Sequence, residues 1–186
     1  MYQSLLADAN FHALLQAIDA DIAAKCRACG CPVCQSVLHS ARYPRKPRGR
    51  PRTVGEEGDW RESFCCSKEG CRKRATPASV RYLGPKVYES TVVLVVSSLQ
   101  HTSATASRQL ATNLGVSRRT VGRWRSWWLS TFADSRFWQA ARSAFMPPAD
   151  PLRLPASILE RFAGELRDKV LAVLRLLQPM TGGASM

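Results

Sequence analysis

Seven cysteines fall in two short stretches, residues 26–34 and 65–71. Cys31-Pro32-Val33-Cys34 is a C-P-x-C knuckle. Its tight turn lets two thiolates converge on one ion while backbone amides stabilise the sulfur charge. Cys66 and Cys71 supply a second pair at a wider spacing, about thirty residues away. That interval has room for a small antiparallel sheet between the knuckles. Cys31, Cys34, Cys66 and Cys71 are therefore the expected ligands of one tetrahedral Zn2+ in a zinc ribbon. A closed four-thiolate site contributes folding free energy and leaves no position for water, so it argues against zinc catalysis. Cys26-Arg27-Ala28-Cys29 is also C-x-x-C, but it abuts the end of the first helix and lacks the proline. Cys65 neighbours Cys66, and successive strand residues point to opposite faces. Cys26, Cys29 and Cys65 are read as small thiols without a ligand role, and His39 is an alternative to one thiolate.

A second pattern runs from Leu110 to Trp124, with the spacing of a helix-turn-helix. Ala111 is small where two helices cross, and Gly115 takes the positive φ of the turn. Leu110, Leu114, Val116 and Val121 form the apolar seam. Ser117 caps the second helix, whose start and outward face carry Arg118, Arg119, Thr120 and Arg123. These residues, helped by Ser117, Arg108 and Gln109, are the expected contacts to a DNA major groove. Trp124, Trp127 and Trp128 are expected in the core.

Between the cysteine clusters, residues 44–52 are rich in Pro and Arg. Pro47-Arg48-Gly49-Arg50-Pro51 resembles the core of an AT-hook, in which Gly lets the chain lie deep in a narrow minor groove. Arg45, Lys46, Arg48, Arg50 and Arg52 are expected to hold phosphates or the minor groove. The plainer reading is a charged loop that touches phosphates without reading sequence.

The elements that must position these groups are mostly helical. Residues 3–25 carry an apolar stripe without internal Pro or Gly. Residues 33–38 and 60–64 read as short strands. Residues 86–99 are β-rich by propensity, but the helix-turn-helix needs a third helix beneath it, which predicts a buried helix opened by Pro85. Residues 104–132 are helical with a break at 114–116, and 137–145 form a short helix. Residues 156–178 read as one long amphipathic helix, and residues 179–186 as a fraying tail. The expected fold is mainly α with a small β zinc ribbon, a helix-turn-helix core and flanking amphipathic helices. The expected units are 1–25, 26–84, 85–135 and 136–186, and the terminal helices pack together or mediate oligomers.

The chain has 186 residues, 45% of them hydrophobic, and a net charge of +13. Residues 25–86 hold 15 basic and 5 acidic side chains, and residues 87–128 hold 5 and 1. A basic excess concentrated in adjacent segments suits a polyanion partner, since each neutralised phosphate releases counterion. No apolar run reaches the roughly 18–20 residues of a membrane span, and residues 1–22 lack the basic start of a signal peptide. A cytoplasmic location follows as the expectation, with no membrane partner.

With both motifs in view, the chain resembles the N-terminal DNA-binding part of bacterial insertion-sequence transposases, and the small accessory or repressor proteins of such elements. Cys31-Pro32-Val33-Cys34, Cys66 with Cys71, and residues 109–128 carry the resemblance. It implies sequence-specific binding of double-stranded DNA, as a mobile-element accessory factor or transcriptional repressor. The implied partners are a second copy of the chain or a transposase or recombinase. The departure is catalytic. A DDE-type domain needs three spaced carboxylates on a large sheet to hold two metal ions. After Trp128 only Asp134, Asp150, Glu160, Glu165 and Asp168 remain, the last three read as one solvated helix face. The expectation is a non-enzymatic protein; the other classes are a protein-interaction adaptor in a recombination or transcription complex, and a component of an enzyme whose active site is on another chain.

Overall fold

A computed structural model describes residues 2–45, 60–83 and 88–182, with Thr102 described by its backbone. The N-terminal segment forms two helices, not one: α1 (Tyr2–Ala7) and α2 (Ala9–Cys29). Asp8 breaks them, because its carboxylate accepts the free amides of Asn10 and Phe11 at 2.9 and 3.1 Å and so starts a new helix. The expected end at residue 25 is also corrected. Nothing in residues 26–29 stops a helix, so α2 runs on to Gly30 at φ 75°. Cys26 and Cys29 thus belong to its last turn.

Among the described residues, five short strands follow: β1 (Leu38–Ser40), β2 (Tyr43–Pro44), β3 (Trp60–Arg61), β4 (Phe64–Cys66) and β5 (Arg74–Ala75). β1, β4 and β5 form an antiparallel sheet in that order, and β2 pairs with β3. The strand expected at 33–38 starts only at Leu38, because Gln35 at φ 58° belongs to a turn.

The Val-rich run is helical, as α3 (Ser90–Thr102). Val92 to Val96 are all 1% exposed or less. A helix apolar on every side belongs in the middle of a core, and α3 packs against α1 and against helices that follow it in the chain. Its start is corrected from residue 86 to Ser90, because Glu89 is extended and bridges to Tyr82 while the Ser90 amide donates to Arg81 O at 2.8 Å. Pro85 lies outside the described residues.

Next come α4 (Ala104–Asn113), α5 (Arg118–Trp127), a π-helical turn (Trp128–Phe132) and α6 (Arg136–Ala141) with a 3-10 turn (Arg142–Ala144). The long C-terminal helix expected over 156–178 is two: α7 (Ala156–Leu159) and α8 (Leu166–Leu177). Gly164 takes φ +94°, where Asp168 packs so closely that a Cβ would meet its Oδ2 at 2.8 Å. Glu165 and Asp168 then close a reciprocal capping box at the start of α8. Glu160, Glu165 and Asp168 are exposed, as expected, but they do not share one helix: Glu165 and Asp168 cap α8, and Glu160 lies outside both helices, paired with Arg153 at 2.6 Å. α1 packs on α8, as expected for the terminal helices.

The tail does not fray through residue 182. A 3-10 turn (Gln178–Thr181) follows α8, and Thr181 Oγ1 accepts the Ser79 amide at 2.7 Å in a buried contact. That bond spans 102 residues of sequence, so no local pattern announces it.

Two apolar clusters result. The large one is built around α3; the small one contains Ala23, Cys31, Leu38, Phe64, Cys66 and Ala75. Buried polar groups join the sheet segment to the helices. Asp19 of α2 accepts Ser79 Oγ (2.6 Å), the Val80 amide (2.8 Å) and Arg81 Nε (2.9 Å). Arg61 of β3 is 4% exposed and donates to the carbonyls of Pro77, Ala78 and Thr181. Asp19→Ala strands the buried Val80 amide and removes the carboxylate that accepts Arg81 Nε. It should lower unfolding free energy by about 3 kcal/mol or more; a denaturant-melt loss below about 1 kcal/mol would contradict this role.

Candidate metal centre and nucleic-acid interface

The first cysteine pair sits on a turn that the backbone closes tightly. The Cys31 amide donates to Ser36 O at 2.9 Å, and the Gln35 amide donates to Cys31 O at 2.8 Å. Gly30 is required before it: a Cβ there would meet Gln35 O at 2.6 Å. The second pair is wider because its turn is longer. The Cys71 amide donates to Lys68 O at 3.2 Å, Gly70 takes φ 81°, and the Lys68 amide donates to Cys66 Sγ at 3.4 Å.

The sheet carries these two turns to one place. The sulfurs of Cys31, Cys34, Cys66 and Cys71 all lie within 4.8 Å of one another. Cys31 and Cys71 are 3.8 Å apart, and Cys34 and Cys66 are 3.4 Å apart. Four thiolates at about 2.3 Å from a tetrahedral ion would sit about 3.8 Å from each other, so this donor set fits a metal ion. Hydrogen bonds from the side chain and backbone of Ser36 lower the Cys34 thiol to about 6. Burial pushes Cys66 up to about 12. Metal binding displaces the protons that remain.

The competing ligands fall elsewhere. Cys65 pairs with His39 across β1 and β4, and Cys66 pairs with Leu38. The pleat therefore turns Cys65 and His39 away from the face that holds Cys66. His39 is exposed, and Cys65 Sγ approaches Arg72 O at 3.7 Å. Cys29 is exposed; Cys26 packs at the edge of the small cluster, its thiol raised first by burial and then by Cys29.

The helix pair α4 and α5 carries the basic groups. The chain turns through Leu114 and through Gly115 at φ 65°, and the Val116 amide donates to Ala111 O at 2.8 Å. Ser117 caps α5, accepting the Thr120 amide at 3.2 Å. Leu110, Ala111, Val116, Val121, Trp124 and Trp128 are buried, and Leu114 and Trp127 are half-buried. Arg118, Arg119 and Arg123 are exposed on the other side of α5, and Arg108 and Gln109 are exposed on α4.

Thr120 is a correction. It is 5% exposed, and its hydroxyl lies 3.0 Å from Ser117 Oγ while accepting Arg123 Nη2 at 3.2 Å. It faces inward three residues after the cap, so it positions Arg123 and does not lie on the outward face. Sequence reasoning passed over Arg125, which is exposed on α5 seven residues after Arg118; that two-turn spacing was the available signal.

Arg45 follows β2, with its guanidinium 5.7 Å from the Tyr43 ring and 5.5 Å from the Tyr82 ring. Lys46, Arg48, Arg50 and Arg52 lie outside the described residues. The strands on either side of them are fixed, since Tyr43 pairs with Arg61 and Pro44 with Trp60. Among the described residues, no helix is long and apolar enough to cross a membrane. Comparison of the chain with protein-family models, with curated proteins and with solved structures finds no match.

Proposed function

We propose that this chain is a non-enzymatic, sequence-specific binder of double-stranded DNA, in which α4 and α5 act as a helix-turn-helix and the four cysteines hold a structural zinc ion in a ribbon. The observation that carries the reading is α5 itself. Its inner face, Val121 and Trp124, is locked into the core, Ser117 fixes its start, and Arg118, Arg119 and Arg123 stand outward as a preorganised basic face. Such a helix presents its first turns to base edges while its partner helix crosses the backbone. The charge distribution supports it: residues 87–128 hold a single acid, Glu89, which is buried.

Zinc is the ion that four thiolates in a closed tetrahedron suit best. Its role here is to hold the ribbon folded. The ribbon in turn carries the stem from which the arginine-rich segment 45–52 reaches a second stretch of backbone or a minor groove. A mobile-element accessory factor or a transcriptional repressor, acting as a homo-oligomer or beside a transposase or recombinase, is the biological setting that fits.

Salt dependence tests the binding. Zinc-loaded protein should lose about a thousandfold or more in affinity for a duplex between 50 and 200 mM salt, as expected for six or more phosphate contacts. Binding at low salt no tighter than that of a neutral control protein would refute the proposal.

A further inference from the structure

α4 and α5 enclose a hollow of about 430 Å3 between them. Its floor includes Ala111, Val121 and Gly122, and its walls carry Arg108, Arg118 and Arg125. No carboxylate lines it, and among the described residues no ion pair engages any of the three arginines. Arg108 folds back along α4, its Nε donating to Ala104 O at 3.3 Å, which holds its charge beside the hollow. Three cations around a largely apolar floor, with no counter-charge among the described residues, suit an anion from outside.

Gly122 is the second observation. It sits in the middle of α5, where glycine costs about 1 kcal/mol relative to alanine. Its backbone does not require glycine, since it is absent from the positive-φ residues. Internal packing does not require it either, because a Cβ built there meets nothing within 4 Å. What a larger side chain would fill is the hollow, between Arg118 and Arg125.

Helical spacing separates this surface from the base-reading one. Arg118, Gly122 and Arg125 fall at i, i+4 and i+7 and form one stripe; Arg119 and Arg123 form the adjacent stripe about 100° round the axis. A duplex docked with its base edges on the second stripe brings a backbone strand along the first.

We infer that the hollow seats one sugar–phosphate unit of the DNA backbone, with Arg108, Arg118 and Arg125 around the phosphate and Gly122 leaving room for the sugar. This rests on the helix-turn-helix reading and deepens it. It moves Arg118 from base reading to backbone contact and adds Arg125 and Gly122 to the interface.

The test uses the zinc-loaded full chain with two probes, a random-sequence duplex and a duplex selected from genomic fragments. Arg125→Ala should weaken both by the same factor, about three- to tenfold, and reduce the slope of log affinity against log salt by about 1. Arg125→Lys should keep most of the affinity, because a phosphate contact needs charge more than fork geometry. Gly122→Leu should bind both probes about tenfold more weakly, with an unchanged or higher melting temperature. An unchanged salt slope in Arg125→Ala, or a folded Gly122→Leu that binds like the parent, overturns the inference while leaving the DNA-binding reading intact. Should Gly122→Leu fail to fold, the Arg125→Ala slope decides. If the parent protein binds neither probe, the underlying reading fails and the inference falls with it.

Discussion

Replacing Cys34 by serine is expected to cut bound zinc from about one ion per four-cysteine site to a small fraction, and to unfold residues 31–45 and 60–75 while the helical body stays folded. The reason is the size of the ribbon's own core. It buries Ala23, Cys31, Leu38, Phe64, Cys66 and Ala75, and two of those six belong to the four-cysteine cluster. The strands are two or three residues long. So little apolar burial cannot offset the ordering of about thirty residues, 31–45 and 60–75. A structural zinc ion supplies about 10–16 kcal/mol in comparable small sites, which is enough to reverse that balance. The body has a separate apolar cluster around α3, so it is expected to stay folded without the metal. Metal analysis and amide exchange at Cys66 and Ala75 read the two effects separately. Undiminished zinc in Cys34→Ser would move the site to Cys26 and Cys29. The pH dependence has a definite sign. Cys34, at about 6, is already a thiolate at neutral pH, whereas Cys66, at about 12, still holds its proton. Binding at pH 7 therefore releases protons, and affinity should rise with pH between about 6 and 12. A zinc affinity that is flat or falls from pH 6 to 8 would contradict this assignment.

What the sequence made legible is whatever a few neighbouring residues decide among themselves. The C-P-x-C turn, the Gly115 turn and the Ser117 cap each need only a handful of consecutive positions. All three are found where the spacing put them. The alternation of Cys65 and Cys66 is equally local, and it separated Cys66, which joins the four-cysteine cluster, from Cys65, which does not. The failures are of two kinds. Some signals were local but outweighed: Gly164 stood inside an apolar period that otherwise ran unbroken from 156 to 178, and Asp8 stood inside the stripe of the first helix. In both places a backbone conformation or a cap prevailed over hydrophobic periodicity. Other features depend on partners far along the chain. Arg61 reaches residue 181 and Thr181 reaches residue 79, so neither burial follows from any window of sequence. α3 shows the reverse case, in which topology decided correctly. Its Val-rich run favours strand by propensity, yet the need for a support beneath α4 and α5 pointed to helix.

The double variant Arg118→Ala, Arg119→Ala is expected to lose DNA binding far more than it loses stability. Both side chains are exposed, and neither forms an ion pair among the described residues. Removing them should change unfolding free energy by no more than about 0.5 kcal/mol. On the DNA the same change should cost about 1–3 kcal/mol for a base contact plus the release of one phosphate's counterion, together roughly a ten- to several-hundredfold loss on the selected duplex. Ser117→Ala is the contrasting variant: losing the cap costs about 1 kcal/mol of stability, so its melting temperature should fall along with its binding. If the arginine pair lowered melting temperature and affinity in equal proportion, α5 would be a structural helix with a solvated basic face, and its assignment as the reading helix would be wrong. The single variants divide the two contributions. Arg119→Ala should narrow the gap between selected and random duplex, because the stripe it shares with Arg123 is the one proposed to face base edges. Arg118→Ala should lower both affinities by one factor and leave the gap unchanged, because its neighbours are Gly122 and Arg125 at the hollow. Electrophoretic mobility shifts with both duplexes at two salt concentrations separate these outcomes, since only a backbone contact changes the salt slope without changing the selectivity.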